Sequence, residues 1–311
     1  MPRTLATVGS MTFGIVLPNK GAGAGPELLD AAASAATDLG WRSAWVTDHL
    51  MVPRGDEADE YGLMLEALTT LTWVGARYEH LQLGTSVISP AMRDAPHLAK
   101  ELATIDVLLG GRLTVGIGAS DSGDLPEYMN MGKQDRFARR GAYVDESVAL
   151  WRHLWSGSTD PFNGDFHQLE DFVFAPLPTR GAALPIWAGG RSARALRRTA
   201  ELCDGYHAAQ TGPADLKERL PLLQAAMELT GRPWPFISTR ARVKFGASAG
   251  PVYALIGEPS DMVEEVARFA TVGNDELIVV FEGHAPDELD AQIRRFTREV
   301  IEPAAERIEA R

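Results

Sequence analysis

The chain has 311 residues, of which 45% are hydrophobic and 23% are charged, a composition typical of globular proteins. Its 30 Lys and Arg residues against 42 Asp and Glu residues give a net charge of −12. This balance argues against duplex nucleic acid as a partner, because such a partner requires a basic surface. The single cysteine, Cys203, excludes an internal disulfide framework and a cysteine-rich metal site.

Membrane and secretion signals are not recognisable in the sequence. The N-terminal segment has no apolar stretch of signal-peptide length, and no window approaches the roughly 20 apolar residues of a membrane span. We therefore expect a cytoplasmic protein with no membrane segment.

Short β-rich runs alternate with amphipathic helical stretches along the chain. The predicted strands cover residues 11–17, 43–47, 81–88, 112–118, 184–188, 205–209, 240–247 and 277–281. The predicted helices cover residues 26–39, 63–77, 97–109, 135–155, 192–202, 214–230, 260–271 and a closing helix over 289–300. A segment rich in proline and glycine, residues 156–183, interrupts the alternation after the fourth helix and predicts an insertion with a hairpin.

Eight strands, each followed by a helix, predict a (β/α)8 TIM barrel that occupies residues 1–311 as a single domain. The competing architecture is a doubly wound open sheet, which carries a G-x-G-x-x-G fingerprint after its first strand. The loop at that position reads GAGAG, and Gly116-Ile117-Gly118 is followed by Asp121 where a third glycine belongs. The spacing therefore favours the barrel.

In a barrel, chemistry is expected where strands end and βα loops begin. The second predicted strand ends in Asp48 and His49. An adjacent carboxylate and imidazole at such a position can bind a polar ligand and move a proton near neutral pH. The alternative is that Asp48 caps the next turn and His49 is a surface residue.

The third and fourth strand ends carry small residues. The third runs through Ser86 and Val87, which suits backbone approach to a flat ligand and equally suits an ordinary turn. The glycines of the fourth allow close backbone contact, and Asp121 adds an acid or hydrogen-bond acceptor. The residues of this segment are Gly116, Ile117, Gly118, Ala119, Ser120 and Asp121.

The fifth strand end predicts an anion site. Two glycines lead into a helix whose N-cap is Ser192, so backbone N–H groups and the helix dipole can bind a negative group. Arg191 and Arg194 strengthen that attraction. Arg197 and Arg198 lie beyond the first turn, and we expect them on a solvated face. The segment reads Ala188-Gly189-Gly190-Arg191-Ser192.

The seven histidines form neither an H-x-H nor an H-E-x-x-H pattern. His49, His207 and His284 fall near strand ends, so a metal-dependent barrel hydrolase with a scattered site stays as an alternative, although no metal site is predicted. Cys203 lies with apolar residues on the inner face of the fifth predicted helix. We expect it in the core and not as a nucleophile.

Six segments in this order resemble the luciferase-like flavin and deazaflavin oxidoreductases, a family of (β/α)8 barrels with an insertion after the fourth helix. The resemblance runs almost end to end. The matching segments are residues 45–49 (WVTDH), 83–87 (LGTSV), 99–106 (AKELATID) with 110–112 (GGR), 140–146 (RGAYVDE), 184–190 (LPIWAGG) and 200–205 (AELCDG).

Within that family the chain is most similar to the branch that uses coenzyme F420, a deazaflavin. The resemblance implies a cis peptide bond between Ser86 and Val87, which forms a bulge behind the deazaflavin ring. It implies His49 as general acid/base near the reacting carbon, with Asp48 in contact with the cofactor. Residues Gly116, Gly118 and Ala119 are implied to line the ring, and Gly189, Gly190, Arg191 and Ser192 to hold the phosphate, beside Ala188.

Asp121 falls where the F420-dependent sugar-phosphate dehydrogenases have a glutamate that acts as an acid. The shorter arm of Asp121, and Ser120 in place of a glycine, argue against a sugar-phosphate substrate. The resemblance implies hydride transfer to or from a small organic molecule with F420, or monooxygenation by a two-component enzyme if the cofactor is FMN. It also implies a homodimer. The loop 50–61 and the insertion are implied to shape the substrate pocket.

Overall fold

Eight parallel strands close into a barrel in the computed structural model, which describes residues 4–246, 250 and 252–310. Around the barrel lie β2 (Met11–Val16), β3 (Ser43–Val46), β4 (Gln82–Thr85), β5 (Leu113–Ile117), β8 (Ile186–Gly189), β9 (Gly205–Ala209), β10 (Phe236–Phe245) and β12 (Glu276–Val280). Pairing of β2 with β3 closes the ring. The barrel expected from the sequence is thereby confirmed.

Four short strands lie outside this ring. The strand β1 (Thr7–Val8) pairs antiparallel with β2, and β11 (Ala254–Gly257) extends the sheet beside β10. The hairpin β6 (Phe162–Asn163) and β7 (Gln168–Leu169) lies within the predicted insertion. The insertion hairpin is therefore confirmed.

Helices surround the barrel, and several are shorter than their predicted ranges. Their bounds are α1 (Pro26–Asp38), α2 (Asp56–Tyr61), α3 (Ala67–Arg77), α4 (Ala95–Leu108), α5 (Leu125–Asn130), α6 (Gln134–Phe137), α7 (Arg140–Trp155), α8 (Ala193–Leu202), α9 (Pro213–Thr230), α10 (Pro259–Val272), α11 (Pro286–Phe296) and α12 (Glu302–Glu309). A π-helical turn, Thr297–Ile301, joins the last two. No helix in the described ranges has the length and apolar character needed to cross a membrane.

Three predicted boundaries are wrong for identifiable reasons. The helix predicted over 135–155 is two helices, α6 and α7, because Arg139 leaves helical geometry between them. The seventh barrel strand begins at Phe236, four residues before its predicted start, because Phe236 pairs with Gly205 of β9. Its predicted last residue, Ala247, lies outside the described residues. The helix predicted from residue 63 begins at Ala67, where the Glu66 carboxylate accepts the main-chain N–H of Thr69.

The barrel interior holds a small aromatic core. Trp45 and Trp187 lie with ring centroids 5.0 Å apart, and Phe236 stacks on Trp187 at 4.8 Å. Glycines on neighbouring strands make room for these rings. A Cβ atom on Gly84 would lie 2.2 Å from the Trp45 ring, and one on Gly205 would lie 2.3 Å from the Trp187 ring. Only residues without a side chain fit opposite the two indoles.

A larger apolar cluster joins the outward side chains of the strands to the helices. Neighbours along one strand alternate between the two cores, as strand geometry requires. Trp187 belongs to the inner cluster and Ala188 to the outer one. Cys203 is buried in the outer cluster, and burial raises the pKa of its thiol to about 12. The expectation that this cysteine belongs to the core is confirmed.

Candidate active site

His49 and a buried carboxylate from another part of the chain form a pair at the carboxyl ends of the strands. His49 lies three residues beyond the end of β3, and Glu127 is in α5, beyond β5. Nδ1 of His49 lies 2.8 Å from Oε2 of Glu127, whose side chain is 2% exposed. The other oxygen of Glu127 accepts the main-chain N–H groups of Leu50 and of Met51, the latter at 3.0 Å. One carboxylate thus orients the imidazole and the loop that follows it.

The two groups change each other's pKa. Burial lowers the pKa of His49, but its hydrogen bond to Glu127 and the charge of that carboxylate outweigh burial, so the net pKa is raised. Burial raises the pKa of Glu127, but the hydrogen bond to His49 and those from the main chain reverse the effect, so the net pKa is lowered. Glu127 is therefore ionised near neutral pH and accepts the Nδ1–H of His49. The Nε2 atom is left for proton transfer.

Asp48 points away from this pair and is held by an arginine. Nη2 of Arg93 donates to Oδ1 of Asp48 at 2.7 Å and to Oε1 of Glu66 at 3.0 Å. The main-chain N–H of Ser89 reaches the other oxygen of Asp48 at 3.4 Å. Burial raises the pKa of Asp48 more than Arg93 lowers it. Asp48 and His49 are neighbours in the sequence, but their side chains belong to separate hydrogen-bond networks.

The peptide bond between Ser86 and Val87 is cis, as the sequence resemblance implied. A buried chain of hydrogen bonds holds this segment. The Arg240 guanidinium donates to the carbonyl oxygen of Ser86 at 2.5 Å and to its hydroxyl at 3.2 Å. That hydroxyl lies 2.8 Å from Nε2 of His207, and Nδ1 of His207 lies 2.8 Å from the Ser238 hydroxyl. His207, which sequence analysis placed near a strand end and considered only under the metal-hydrolase alternative, belongs to this network.

His207 remains neutral because of where it lies. It is fully buried and stacks on Trp45, with ring centroids 5.6 Å apart. Burial and the neighbouring Arg240 lower the pKa of His207 to about 3. Since Ser86 accepts from Arg240, its hydroxyl donates to Nε2 of His207, and Nδ1–H donates to Ser238.

Val87 lies against Gly116, Gly118 and Gly189, which have no side chains that would clash with it or with the neighbouring main chain. A Cβ atom on Gly118 would lie 2.5 Å from Cγ2 of Val87, and one on Gly189 would lie 2.8 Å from Cγ1. A Cβ atom on Gly116 would lie 1.9 Å from the carbonyl oxygen of Thr85. The structure therefore brings Gly116, Gly118 and Gly189 around the Ser86–Val87 bulge, and each packs directly against protein atoms. Ala188 is adjacent, but its side chain packs among the helices.

The segment after β5 has a different arrangement from that expected. Ser120 has a positive φ of 59°, and its hydroxyl contacts those of Ser89 at 2.9 Å and Tyr128 at 3.2 Å. The neighbouring Ala119 packs against the apolar core. Asp121 is exposed and caps a short 3₁₀ turn, in which its N–H donates to Asp124 at 2.7 Å. Among the described residues, Glu127 contacts His49 and Asp121 does not.

The helix cap predicted at the fifth strand end is present. Ser192 caps α8 by accepting the N–H of Ala195 at 3.3 Å. Gly190, with φ of 121°, and Arg191 are exposed beside the first turn of the helix, where N–H groups lack intrahelical partners. The expectation for Arg198 is wrong. It is 4% exposed and pairs with Asp145 at 2.5 Å, because the inner face of α8 packs against α7.

Two further features bear on function. A pocket of about 440 Å³, open to solvent, lies in the loop after His49 and is lined by Leu50, Met51, Val52, Pro53, Arg54, Ala58, Tyr61, Gly62 and Met64. Tyr61 links this loop to His49, with ring centroids 4.3 Å apart. Within the described ranges, no three His, Cys, Asp or Glu side chains are grouped closely enough to hold a metal ion.

Residues 11–310 match the model of the family described as luciferase-like monooxygenase. The chain belongs to that family. It is 30% identical to the F420-dependent glucose-6-phosphate dehydrogenase of Kineococcus radiotolerans over 230 residues, which are 71% of this chain and 64% of that protein. The match thus spans just under two thirds of the relative's length. The family resemblance stated from the sequence is confirmed.

Solved structures share the fold at low sequence identity. An F420-dependent secondary alcohol dehydrogenase in complex with an F420-acetone adduct has a TM-score of 0.79 and 17% identity, covering 95% of this chain and 99% of that one. The oxygenating constituent of 3,6-diketocamphane monooxygenase from Pseudomonas putida, in complex with FMN, has a TM-score of 0.74 and 14% identity, covering 94% and 98%. Proteins whose names give F420 or FMN as the cofactor thus share this fold.

Sequence analysis did not identify two residues, Glu127 and Arg240, that contact the predicted site residues in the structure. Glu127 lies 78 residues from His49 along the chain, within a helix that the strand pattern did not predict. Arg240 was predicted only as the first residue of a strand. The available signal was weak for both, since Arg240 lies within β10 and Glu127 lies ten residues beyond the end of β5.

Proposed function

We propose that this chain is an oxidoreductase that transfers a hydride between coenzyme F420 and a small organic substrate. The observation that carries the proposal is the pair of His49 and Glu127 at the same end of the barrel as the Ser86–Val87 bulge. The names of the curated relatives support F420 as the cofactor. The substrate of those relatives is not carried over, because the shorter Asp121 is exposed and caps a turn.

The residues present suit a deazaflavin nucleotide. The exposed segment 190–192 at the first turn of α8 offers free N–H groups and the positive end of a helix dipole to a phosphate. In this proposal Ser86, Val87, Gly116, Gly118, Ala119 and Asp48 border the ring, and Ala188, Gly189, Gly190, Arg191 and Ser192 border the phosphate.

His49 supplies the proton chemistry in this proposal. When bound, F420 supplies a carbon that accepts or delivers a hydride as two electrons. Glu127 holds Nδ1–H of His49, so Nε2 takes the proton from a substrate hydroxyl in oxidation and returns it to a carbonyl oxygen in reduction. Protonated His49 is stabilised by the ionised Glu127, which keeps the imidazolium available near neutral pH.

The FMN-dependent monooxygenase has less support. It shares the fold at 14% identity, and no residue of the described site favours it over the deazaflavin enzyme. The metal-dependent hydrolase finds no ligand set in the described part of the chain.

A fluorescence titration with F420 and, in parallel, with FMN tests the cofactor. We expect micromolar binding of F420 and much weaker binding of FMN. Arg191→Glu places a negative charge beside the phosphate segment, and we expect about tenfold weaker F420 binding, equivalent to about 1.4 kcal/mol. Arg197→Glu, in α8 beyond its first turn, is the matched control and leaves the affinity within about twofold. Tighter binding of FMN than of F420 overturns the proposal.

A second experiment tests His49. We expect His49→Asn to retain F420 affinity and to lose about 10²–10⁴-fold in turnover with any substrate that the wild type accepts. Equal turnover in both proteins contradicts the role of His49.

The single domain, the homodimer and the cytoplasmic location stay predictions. Sedimentation of the purified protein checks the dimer.

A further inference from the structure

A cavity at the carboxyl mouth of the barrel has a cationic wall. Its enclosed part is about 20 Å³, little more than the space of one water molecule, and it opens to solvent. Three positively charged side chains line it, from the loop after β2 and from β10, and the remaining wall is neutral. The lining residues are Lys20, Arg240 and Arg242, with Val16, Thr47, Gln210 and Val280. In a chain of net charge −12, this concentration of positive charge is a local exception.

Two carboxylates face these cations and do not balance them. Glu60 pairs with both Lys20 and Arg242. Glu282 lies 2.9 Å from Arg242 and 3.3 Å from Lys244. Burial raises the pKa of Glu60, but Lys20 and Arg242 lower it to about 2, so this carboxylate is ionised. With Arg240 included, four cations share two carboxylates, and the cavity keeps an excess of positive charge.

Arg240 is the cation that lacks a partner of opposite charge. Among the described residues it has no carboxylate within 4 Å, and its hydrogen bonds go from Nη1 to the two oxygens of Ser86. Those oxygens are neutral acceptors and do not compensate the charge. Burial lowers the pKa of Arg240, but a guanidinium stays protonated in proteins. The remaining N–H groups of the fork suit bidentate binding of a carboxylate or a phosphate.

The cationic wall lies close to the proposed proton donor. The ammonium of Lys20 is 4.1 Å from the centroid of the Tyr61 ring, and that ring is 4.3 Å from the His49 ring. Lys20 Nζ therefore lies at most 8.4 Å, the sum of those distances, from the His49 imidazole. The Tyr61 ring lies between the two groups and contacts both of them. A molecule that passes this ring, with its anionic group at the wall, would place a carbon a few bonds away near His49.

We propose that this cavity is the subsite for an anionic group of the substrate, a carboxylate or a phosphate, bound by Arg240 with Lys20 and Arg242. The inference rests on the proposed function, since it assumes that His49 acts on the same molecule. A role of Arg240 confined to anchoring Ser86 accounts for Nη1 alone. Glu60 accounts for the approach of Lys20 and Arg242 to each other, but no carboxylate within 4 Å in the described part of the chain compensates the charge of Arg240.

Calorimetric titrations with inorganic phosphate and with acetate test the subsite. Each anion is titrated into the wild type with and without saturating F420. We expect millimolar binding of at least one anion that persists in the F420-loaded protein. Stronger phosphate binding indicates a phosphorylated substrate, and stronger acetate binding indicates a carboxylate. Absence of binding by both anions overturns the proposal.

Variants assign the bound anion to the cavity. We expect Arg240→Gln and Lys20→Met each to weaken binding at least about tenfold, as loss of one charge-assisted contact implies. Arg197→Gln, on an exposed face of α8, is the control and leaves binding unchanged. Lys20→Met keeps the Arg240–Ser86 hydrogen bonds, so it carries the test if Arg240→Gln fails to fold. Unaltered binding in the two cavity variants overturns the proposal.

The cofactor titration separates this inference from the proposed function. If F420 displaces the anion and Arg240→Gln weakens F420 binding, the cavity belongs to the cofactor and the substrate subsite is wrong. If F420 does not bind but the anion binds through Arg240, the subsite stands and the proposed function fails. If F420 binds and neither anion does, the proposed function stands and the substrate subsite is wrong.

Discussion

His49 and Glu127 meet through a single carboxylate oxygen, 2.8 Å from Nδ1 of the imidazole, although 78 residues separate them in sequence. The second oxygen of Glu127 accepts main-chain N–H groups of the loop that begins at Leu50. The carboxylate therefore fixes the tautomer of His49 and the entrance of the neighbouring loop together. Its removal is expected to affect both the titration of the imidazole and the stability of the fold.

Glu127→Gln is expected to lower the pKa of His49. In the wild type that pKa lies above its ordinary value of 6.5, because Glu127 outweighs burial. A neutral glutamine removes the charge of Glu127, while burial still lowers the pKa, so the pKa falls. NMR titration of the imidazole resonances measures the change, and exposed Glu306→Gln is the control. A pKa that does not move shows that Glu127 does not tune His49.

The same pair predicts a window of pH in which Glu127 stabilises the fold most. Stability from the raised pKa of His49 is fully present below pH 6.5 and is lost as pH rises through its folded value. Stability from the lowered pKa of Glu127 is present above pH 4.5 and is lost as pH falls through its folded value. The wild type should therefore exceed Glu127→Gln in free energy of unfolding most between pH 4.5 and 6.5. Urea unfolding across this range checks the maximum, and a difference independent of pH contradicts it.

His207 is expected to make the protein sensitive to acid. Its folded pKa of about 3 lies below the unfolded 6.5, so the unfolded state binds the proton between these values. Stability from this group therefore falls by about 1.4 kcal/mol for each pH unit below 6.5. Urea unfolding at several pH values should show a shallower slope for His207→Gln than for the wild type. Exposed His97→Gln is the control for loss of a histidine, and equal slopes in all three proteins contradict the prediction.

Gly118→Ala is expected to destabilise the protein by about 1–3 kcal/mol, the usual cost of overpacking. The new methyl group would lie 2.5 Å from Cγ2 of Val87. Val87→Ala in the same chain removes that contact, and we expect the double variant to recover stability relative to Gly118→Ala. Urea unfolding measures both. Gly123→Ala, where nothing lies within 4 Å, is the matched control, and the absence of rescue shows that Val87 is not the obstacle.

Arg93→Gln is expected to cost about 3–5 kcal/mol, because it leaves the buried Asp48 carboxylate without its cation. Asp48→Asn in addition removes the stranded charge and should recover most of that loss. A double-mutant cycle by urea unfolding measures the coupling. Arg77→Gln breaks the exposed pair with Asp30 and should cost about 0–1 kcal/mol. A loss for Arg93→Gln as small as that of Arg77→Gln contradicts the prediction.

Most barrel strands could be predicted because their residues depend on local periodicity. Val16, Trp45, Trp187 and Ile278 face inward while their neighbours face the helices, and this alternation is readable in the sequence. Two of the errors came from contacts between residues far apart in the sequence. The start of β10 is set by pairing with β9, and Arg198 is buried because α8 packs on α7.

By itself the sequence determined the order of strands and helices and the motifs at the strand ends, because periodicity and spacing are local properties. It could not pair His49 with Glu127 or Arg240 with Ser86, which lie 78 and 154 residues apart. Those contacts exist because closure of the barrel brings the carboxyl ends of separate strands to one mouth. The packing of the barrel decides which strand ends lie next to each other at this mouth.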